Sequence, residues 1–177
     1  MDRKLVDFFL TAGKLKTTER FGWTKYKIAP ESVADHSWRT ALIAYVLARR
    51  LKLDDSKAVK MALVHDLAEV KTGDIPRNSM PMHEKERREA EALKAIVTDL
   101  EPKEARELSK LCDEYQKRKS KIAKLVRDAD NLDMILQALE YEKSNKVKLD
   151  EFFETEFLLP ETKALAKEIK ARRSQRD

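Results

Sequence analysis

Long stretches of this chain contain nothing that would stop a helix. Three glycines and five prolines are spread over 177 residues. Alanine, leucine, lysine and glutamate, all good helix formers, fill the segments between them. The pattern predicts an all-α protein: one helical domain over 1–177, built from about six to eight helices and long enough to bury a core without disulfide staples. Its core is expected over about 5–155, with a C-terminal helix over about 160–174.

Apolar spacing and breakers divide the chain further. A first helix is expected over 2–16, with Leu5, Phe8, Phe9 and Ala12 as its stripe. "TTERFGWTKYKIAPES" is irregular, interrupted by Gly22 and Pro30. A second helix starts after Glu31–Ser32 and reaches Leu51, with Val33, Leu42, Val46 and Leu47 inward. A third begins at Asp54 or Asp55 and ends at Gly73. "GDIPRNSMP" is a loop because Pro76 and Pro81 resist helix. Helices over 82–99, 103–117 and 119–144 follow, then a short segment at Phe152–Phe153 and a helix from Pro160.

One stretch of the third helix raises a chemical question. "ALVHDLAEVKTGDIPR" (62–77) reads as buried, yet it carries His65, Asp66 and Glu69, with Asp74 just beyond. Burying such groups costs several kcal/mol unless something pairs with them. At about 100° per residue, His65 and Glu69 share a helix face, as do Asp66 and Glu69. An imidazole beside a carboxylate suits a shared divalent cation, which would neutralise the acids and use the ring lone pair.

More ligands are needed, and two other histidines exist. His36 in "ESVADHSWR" lies between a capping-type serine and an apolar helix; His83 in "MPMHEKER" has charged, exposed-looking neighbours. His36 is preferred. In "KLVRDADNLDMILQALEYE", Asp130 sits among Val126, Ala129 and Met134 and is the favoured inward member of Asp128, Asp130 and Asp133.

These residues carry a family resemblance. "DH" at 35–36, "HD" at 65–66 and a later helical aspartate look like the HD-domain metal-dependent phosphohydrolases. "PESVADHSWR", "ALVHDLAEVKTGDIPR" and "DADNLDMILQALEYE" resemble their 5′-deoxynucleotidase branch, the HD domain-containing protein 2 group, over about residues 5–155. The resemblance implies an HD helical bundle with His36, His65, Asp66 and Asp130 as metal ligands. It also implies Glu69 as the acid beside the reacting water and Asp74 as a loop acid contacting the 3′-hydroxyl. Arg20 and Trp23 match the arginine and tryptophan near the sugar-phosphate, although "RFGW" separates residues that some members have adjacent. The implied reaction is hydrolysis of a 2′-deoxynucleoside 5′-monophosphate with broad base tolerance, Trp23 crowding a ribose 2′-hydroxyl. Asp74 is read as an uncommitted carboxylate. The mixed N/O ligand set suits one divalent ion among Mn, Co, Ni, Zn or Fe. Alternatives are an HD phosphohydrolase acting on deoxynucleoside triphosphates or cyclic nucleotides, and a non-catalytic nucleotide- or metal-binding regulatory module.

Charge and composition narrow the partners. Net charge is +5 with 39% charged residues, but Lys and Glu are interspersed as on solvated helix faces. The basic run "QKRKSKIAK" has one aromatic neighbour, Tyr115, and no nucleic-acid motif, so nucleic acid is not an expected partner. No apolar run reaches the roughly 20 residues of a membrane span, and "MDRKLVDFF" lacks signal-peptide organisation. The single cysteine, Cys112, is expected to pack between helices and suits a reducing, cytoplasmic compartment. Apolar positions on the later helices and in "FFETEFLL", together with the resemblance, imply a homodimer.

Overall fold

A computed structural model describes residues 2–76 and 79–175; Arg77 and Asn78 of the expected "GDIPRNSMP" loop lie outside them. The elements, in order, are α1 (Asp2–Gly13), α2 (Phe21–Thr24), α3 (Val33–Arg50), α4 (Asp55–Val64), α5 (Glu69–Thr72), α6 (Met82–Ile96), α7 (Pro102–Lys117), α8 (Lys121–Asn145), α9 (Asp150–Phe153) and α10 (Pro160–Ser174). Short 3-10 turns follow α1 and α6, at Lys14–Lys16 and Val97–Asp99. Among the described residues there is no strand, only an isolated antiparallel bridge between Glu19 and Ser32. This is the all-α architecture expected. No helix among these residues is long and apolar enough to cross a membrane.

The chain divides into two compact units: Met1–Ser37 with Leu63–Asp113, and Trp38–Ala62 with Glu114–Asp177. The first unit has a core of Phe8, Leu15, Val33, Leu67, Ala68, Ala92, Leu93, Ile96 and Val97. Val64, Val70, Leu108 and Cys112 pack around it. Phe8, Ala12 and Leu15 form the inward line of the N-terminal segment. Leu5 and Phe9 do not join them; Phe9 is 60% exposed. The buried stripe keeps Phe8 and Ala12 of the one expected but continues to Leu15 instead of widening to Leu5 and Phe9, because this short helix meets the core along one narrow line.

In the second unit, α8 starts at Ser120, whose hydroxyl accepts from the Ala123 amide at 3.0 Å. From Asp128 to Ile135 every residue of α8 is buried, the mark of a helix covered all round. α10 packs against α8, burying Thr162, Ala166 and Ile169. Thr40, Ala41, Ala44, Leu47 and Ala48 make the buried face of α3 in this unit. Leu42 and Val46, expected inward, are exposed beside Trp38 and Tyr45. Phe153, Phe157 and Leu159 are buried, so most of the apolar residues of the "FFETEFLL" segment are already covered, while Leu158 stays exposed.

Candidate active site

The first unit gathers seven of the residues singled out in the sequence. His36 is positioned by the start of α3. Ser32 and Asp35 form a reciprocal capping box: the Ser32 hydroxyl accepts from the Asp35 amide at 3.1 Å, and Asp35 Oδ2 accepts from the Ser32 amide at 3.0 Å. Ahead of it the Val33 amide donates to the Thr18 carbonyl at 2.8 Å and the Arg20 amide to the Glu31 carbonyl at 3.0 Å. These bonds tie "ERFGW" to the beginning of α3. His36, one residue past the box, is fully buried.

His65 and Asp66 do not lie on a helix, contrary to the expected continuous helix ending at Gly73. α4 stops at Val64 and the chain runs through turns until α5 begins at Glu69. The amides of Leu67, Glu69, Val70 and Lys71 each donate three residues back, to Val64, Asp66, Leu67 and Ala68. This is the tighter 3-10 pattern, in which side chains three apart eclipse one another. Leu67 and Ala68 point into the core, so the turn is anchored between the polar groups it presents. Gly73 then adopts a φ of 68°, a conformation that favours glycine, and delivers Asp74.

The resulting geometry converges on one oxygen. Asp66 Oδ2 lies 3.1 Å from His65 Nε2, 3.6 Å from His36 Nε2 and 3.7 Å from Arg20 Nη1. A ligand atom from each of His36, His65 and Asp66 lies within 4.8 Å of the others. The Asp66 side chain is 18% exposed and both imidazoles are fully covered. Two imidazole nitrogens and a carboxylate oxygen, gathered at a site nearly closed to water, fit a divalent transition metal. His83, by contrast, is exposed on α6.

Glu69 is buried, and its Oε2 has no hydrogen-bond partner among the described residues. Burial holds its carboxyl well above the usual range, reinforced by the Asp66 and Asp74 carboxylates, while Arg20 and Lys85 pull the other way. Glu69 thus lies within electrostatic reach of two further carboxylates and two cations.

Asp74 is not uncommitted. Its Oδ2 accepts from the Phe21 amide at 2.6 Å, at the first residue of α2. Trp23 on α2 is 1% exposed and donates its indole Nε1–H to Glu31 Oε1 at 3.2 Å. Behind the turn, Cys112 Sγ donates to the Val64 carbonyl at 3.3 Å. Burial, with Asp66 and Glu89 nearby, pushes this thiol up to about 12. That is the packing role expected of it.

Asp130 belongs to the second unit. Its Oδ2 accepts from the Tyr115 hydroxyl at 2.7 Å and from Arg127 Nη1 at 2.8 Å. Asp128 and Asp133 are buried as well, so burial alone does not single out Asp130. Asp128 accepts from the Leu158 and Leu159 amides and the Thr162 hydroxyl, and Asp133 accepts from Arg39. Sequence reasoning missed Glu31, Tyr115 and Arg127. Glu31 stands where an acid before a helix reads as a first-turn charge, and Tyr115 was visible only as an aromatic beside a basic run.

Comparison with known proteins finds similarity along most of the chain. The HD domain family matches residues 12–173. The human protein "5′-deoxynucleotidase HDDC2" is 41% identical over 180 residues, covering 97% of this chain and 87% of its own. Its namesake from Dictyostelium discoideum is 38% identical, covering 95% of this chain and 97% of its own. A conserved hypothetical protein of known structure from Pyrococcus furiosus is 39% identical with a TM-score of 0.81, covering 94% of this chain and 99% of that one.

Proposed function

The chain belongs to the HD-domain family, and from that premise we propose that it is a metal-dependent 5′-deoxynucleotidase, converting a 2′-deoxynucleoside 5′-monophosphate and water to deoxynucleoside and phosphate. The observation that carries this reading is the convergence of His36, His65 and Arg20 on Asp66 Oδ2, in a chain 41% identical to a protein of that activity. The family match over 12–173 supports reading 1–177 as a single HD domain.

His36, His65 and Asp66 would hold the metal, with Asp130 as the fourth ligand on the strength of the resemblance. Any of Mn, Co, Ni, Zn or Fe suits two imidazoles and two carboxylates. A divalent ion there supplies charge neutralisation at the phosphoryl group and a lowered pKa for the attacking water.

The remaining work falls to the chain's own groups. Glu69 orients the water and receives its proton at Oε2, the atom without a hydrogen-bond partner among the described residues. Arg20 offers planar donors to phosphate oxygens, at a position where it already bridges acidic groups. Asp74, with Oδ2 bound to the Phe21 amide, keeps Oδ1 to accept from a sugar 3′-hydroxyl. Trp23 closes the space a ribose 2′-hydroxyl would occupy. Water oxygen bonds to phosphorus as the ester P–O bond breaks, and the departing 5′-oxygen takes up a proton.

The protein acts in the cytoplasm as a homodimer in this reading. A lone cysteine supports the first. The exposed Trp38, Leu42, Tyr45 and Val46, one stripe along α3, support the second. Phosphate release from a panel of deoxy- and ribonucleotides, with each metal added in turn, tests the activity. Release from dAMP well above AMP is expected; equal release leaves only a broader nucleotidase, and no release with any metal refutes the reading. Light scattering on the eluting species reports the dimer, and a monomer at micromolar concentration removes it.

A further inference from the structure

The segment carrying Arg20 and Trp23 has little structure of its own. α2 is four residues long, too short to persist by its own hydrogen bonds. Carboxylates hold it at both ends. Asp74 takes the Phe21 amide. Glu31 takes the rest: Oε1 accepts from Trp23 Nε1 at 3.2 Å and stands 3.9 Å from Arg20 Nε. The Glu31 carbonyl also accepts from the Arg20 amide at 3.0 Å. The Glu31 side chain is 9% exposed, so its charge is screened little by water. Arg20 Nη1 lies 3.7 Å from Asp66 Oδ2. A continuous polar path therefore runs from the indole, through Glu31 and Arg20, to the oxygen on which the two histidines converge.

We infer that Glu31 is a positioning residue that fixes the Trp23 ring and the reach of Arg20, and is thereby a determinant of deoxyribose selectivity. This rests on the proposed deoxynucleotidase reading. The physical reason is that an apolar wall rejects an added hydroxyl only weakly, by about 100-fold at best. It does so only while the wall does not yield. An indole held by an N–H bond to a buried carboxylate has one acceptable ring orientation. Without the acceptor, the ring can turn to make room. The two bonds are separable: a glutamine at this position keeps an oxygen for the indole but removes the charge facing Arg20.

The test compares wild type with Glu31→Ala, Glu31→Gln, Trp23→Phe and the double variant Trp23→Phe/Glu31→Ala. kcat/KM for dAMP and AMP, metal content by elemental analysis and the indole N–H resonances are measured for each. The chain has two tryptophans, and Trp38, 66% exposed, serves as the internal reference. Glu31→Ala is expected to shift the Trp23 indole proton upfield, keep the metal and lower the dAMP/AMP ratio roughly 10-fold. Glu31→Gln should keep the ratio and the indole position while KM rises for both nucleotides. Trp23→Phe, which lacks the N–H, should make the further loss of Glu31 silent in the ratio. An unmoved Trp23 resonance in Glu31→Ala overturns the anchor. A moved resonance with an unchanged ratio overturns the selectivity role, as does a double variant whose ratio falls well below that of Trp23→Phe. Wild type that turns over dAMP and AMP equally marks instead a failure of the deoxynucleotidase reading; the resonance still decides whether Glu31 holds the ring.

Discussion

Replacing Asp128 with alanine removes a fully buried carboxylate on which the start of α10 is hung. Its oxygens accept from the Leu158 amide at 2.8 and 3.0 Å, the Leu159 amide at 2.8 Å and the Thr162 hydroxyl at 2.5 Å. The hydroxyl has a second acceptor in the Leu159 carbonyl at 2.9 Å, so it survives the loss. Each amide left without a partner costs about 1–3 kcal/mol. The expected loss is therefore about 3–4 kcal/mol, equivalent to roughly 10 °C in Tm for a chain of this size. Asp133→Ala should cost less, about 2 kcal/mol, because Arg39 keeps Glu140 at 2.9 Å and Gln137 at 2.7 Å. Asp130→Ala should cost about 1–3 kcal/mol even in the presence of a chelator, because it leaves the buried Tyr115 hydroxyl without its acceptor, and should also lose bound metal. The measurement is urea unfolding of each variant with chelator, paired with elemental analysis of the folded protein without it. Asp128→Ala and Asp133→Ala should retain metal per folded chain. Asp128→Ala within about 1 kcal/mol of wild type refutes the cost assigned to its buried bonds, and undiminished metal in Asp130→Ala refutes its assignment as a ligand.

Further outcomes follow from the same geometry. Asp66→Ala should abolish bound metal and turnover together, whereas His83→Ala should keep both; elemental analysis with phosphate release decides. Glu69→Gln should retain metal while kcat falls roughly 100-fold or more, and collapse of metal binding would make Glu69 a ligand instead. Near the C-terminus, burial alone would raise the Glu142 carboxyl, but hydrogen bonds from Arg173 and the Leu149 amide outweigh it and hold it below its usual range. A folded-state pKa below the unfolded one contributes stability above the unfolded value and loses it as pH falls through the folded one. The stability deficit of Glu142→Gln should therefore be full at neutral pH and shrink below about pH 4.3, the ordinary glutamate value. A deficit independent of pH in urea titrations contradicts this.

The chemistry of the site was more legible in the sequence than the backbone that presents it. His65 and Asp66 lie within 4.8 Å of His36 through their ligand atoms, yet they stand on a 3-10 turn and not an α-helix. Over four residues the two periods bury the same pair, Leu67 and Ala68, so the apolar pattern cannot tell them apart. His36 was placed near a helix start by the capping-type serine ahead of it, whereas the reciprocal bond from Ser32 to Asp35 emerged only in the structure. The three aspartates of α8 were not separable: amphipathic reasoning assumes one buried face, and this helix is covered all round from Asp128 to Ile135. Their partners are distant in sequence, at Leu158 and Arg39 for the outer two. Glu31 and the commitment of Asp74 to Phe21 were invisible for a related reason, because side-chain bonds that join loops carry no periodicity.

The thiol behind the site gives the protein an opening clock of its own. Cys112 is held to the carbonyl of the residue just before His65. With its pKa pushed up to about 12, only about one thiol in 10,000 is ionised at pH 8, against roughly a quarter for a free cysteine. Alkylating reagents should therefore find the native chain almost inert and label it chiefly in moments when α7 parts from the end of α4. Because the sequence holds no other cysteine, whole-protein mass spectrometry reads those events without any engineered probe. The labelling rate, followed with and without added metal or nucleotide, converts a part-buried packing contact into a direct measure of how often the thiol leaves the Val64 carbonyl, one residue before His65.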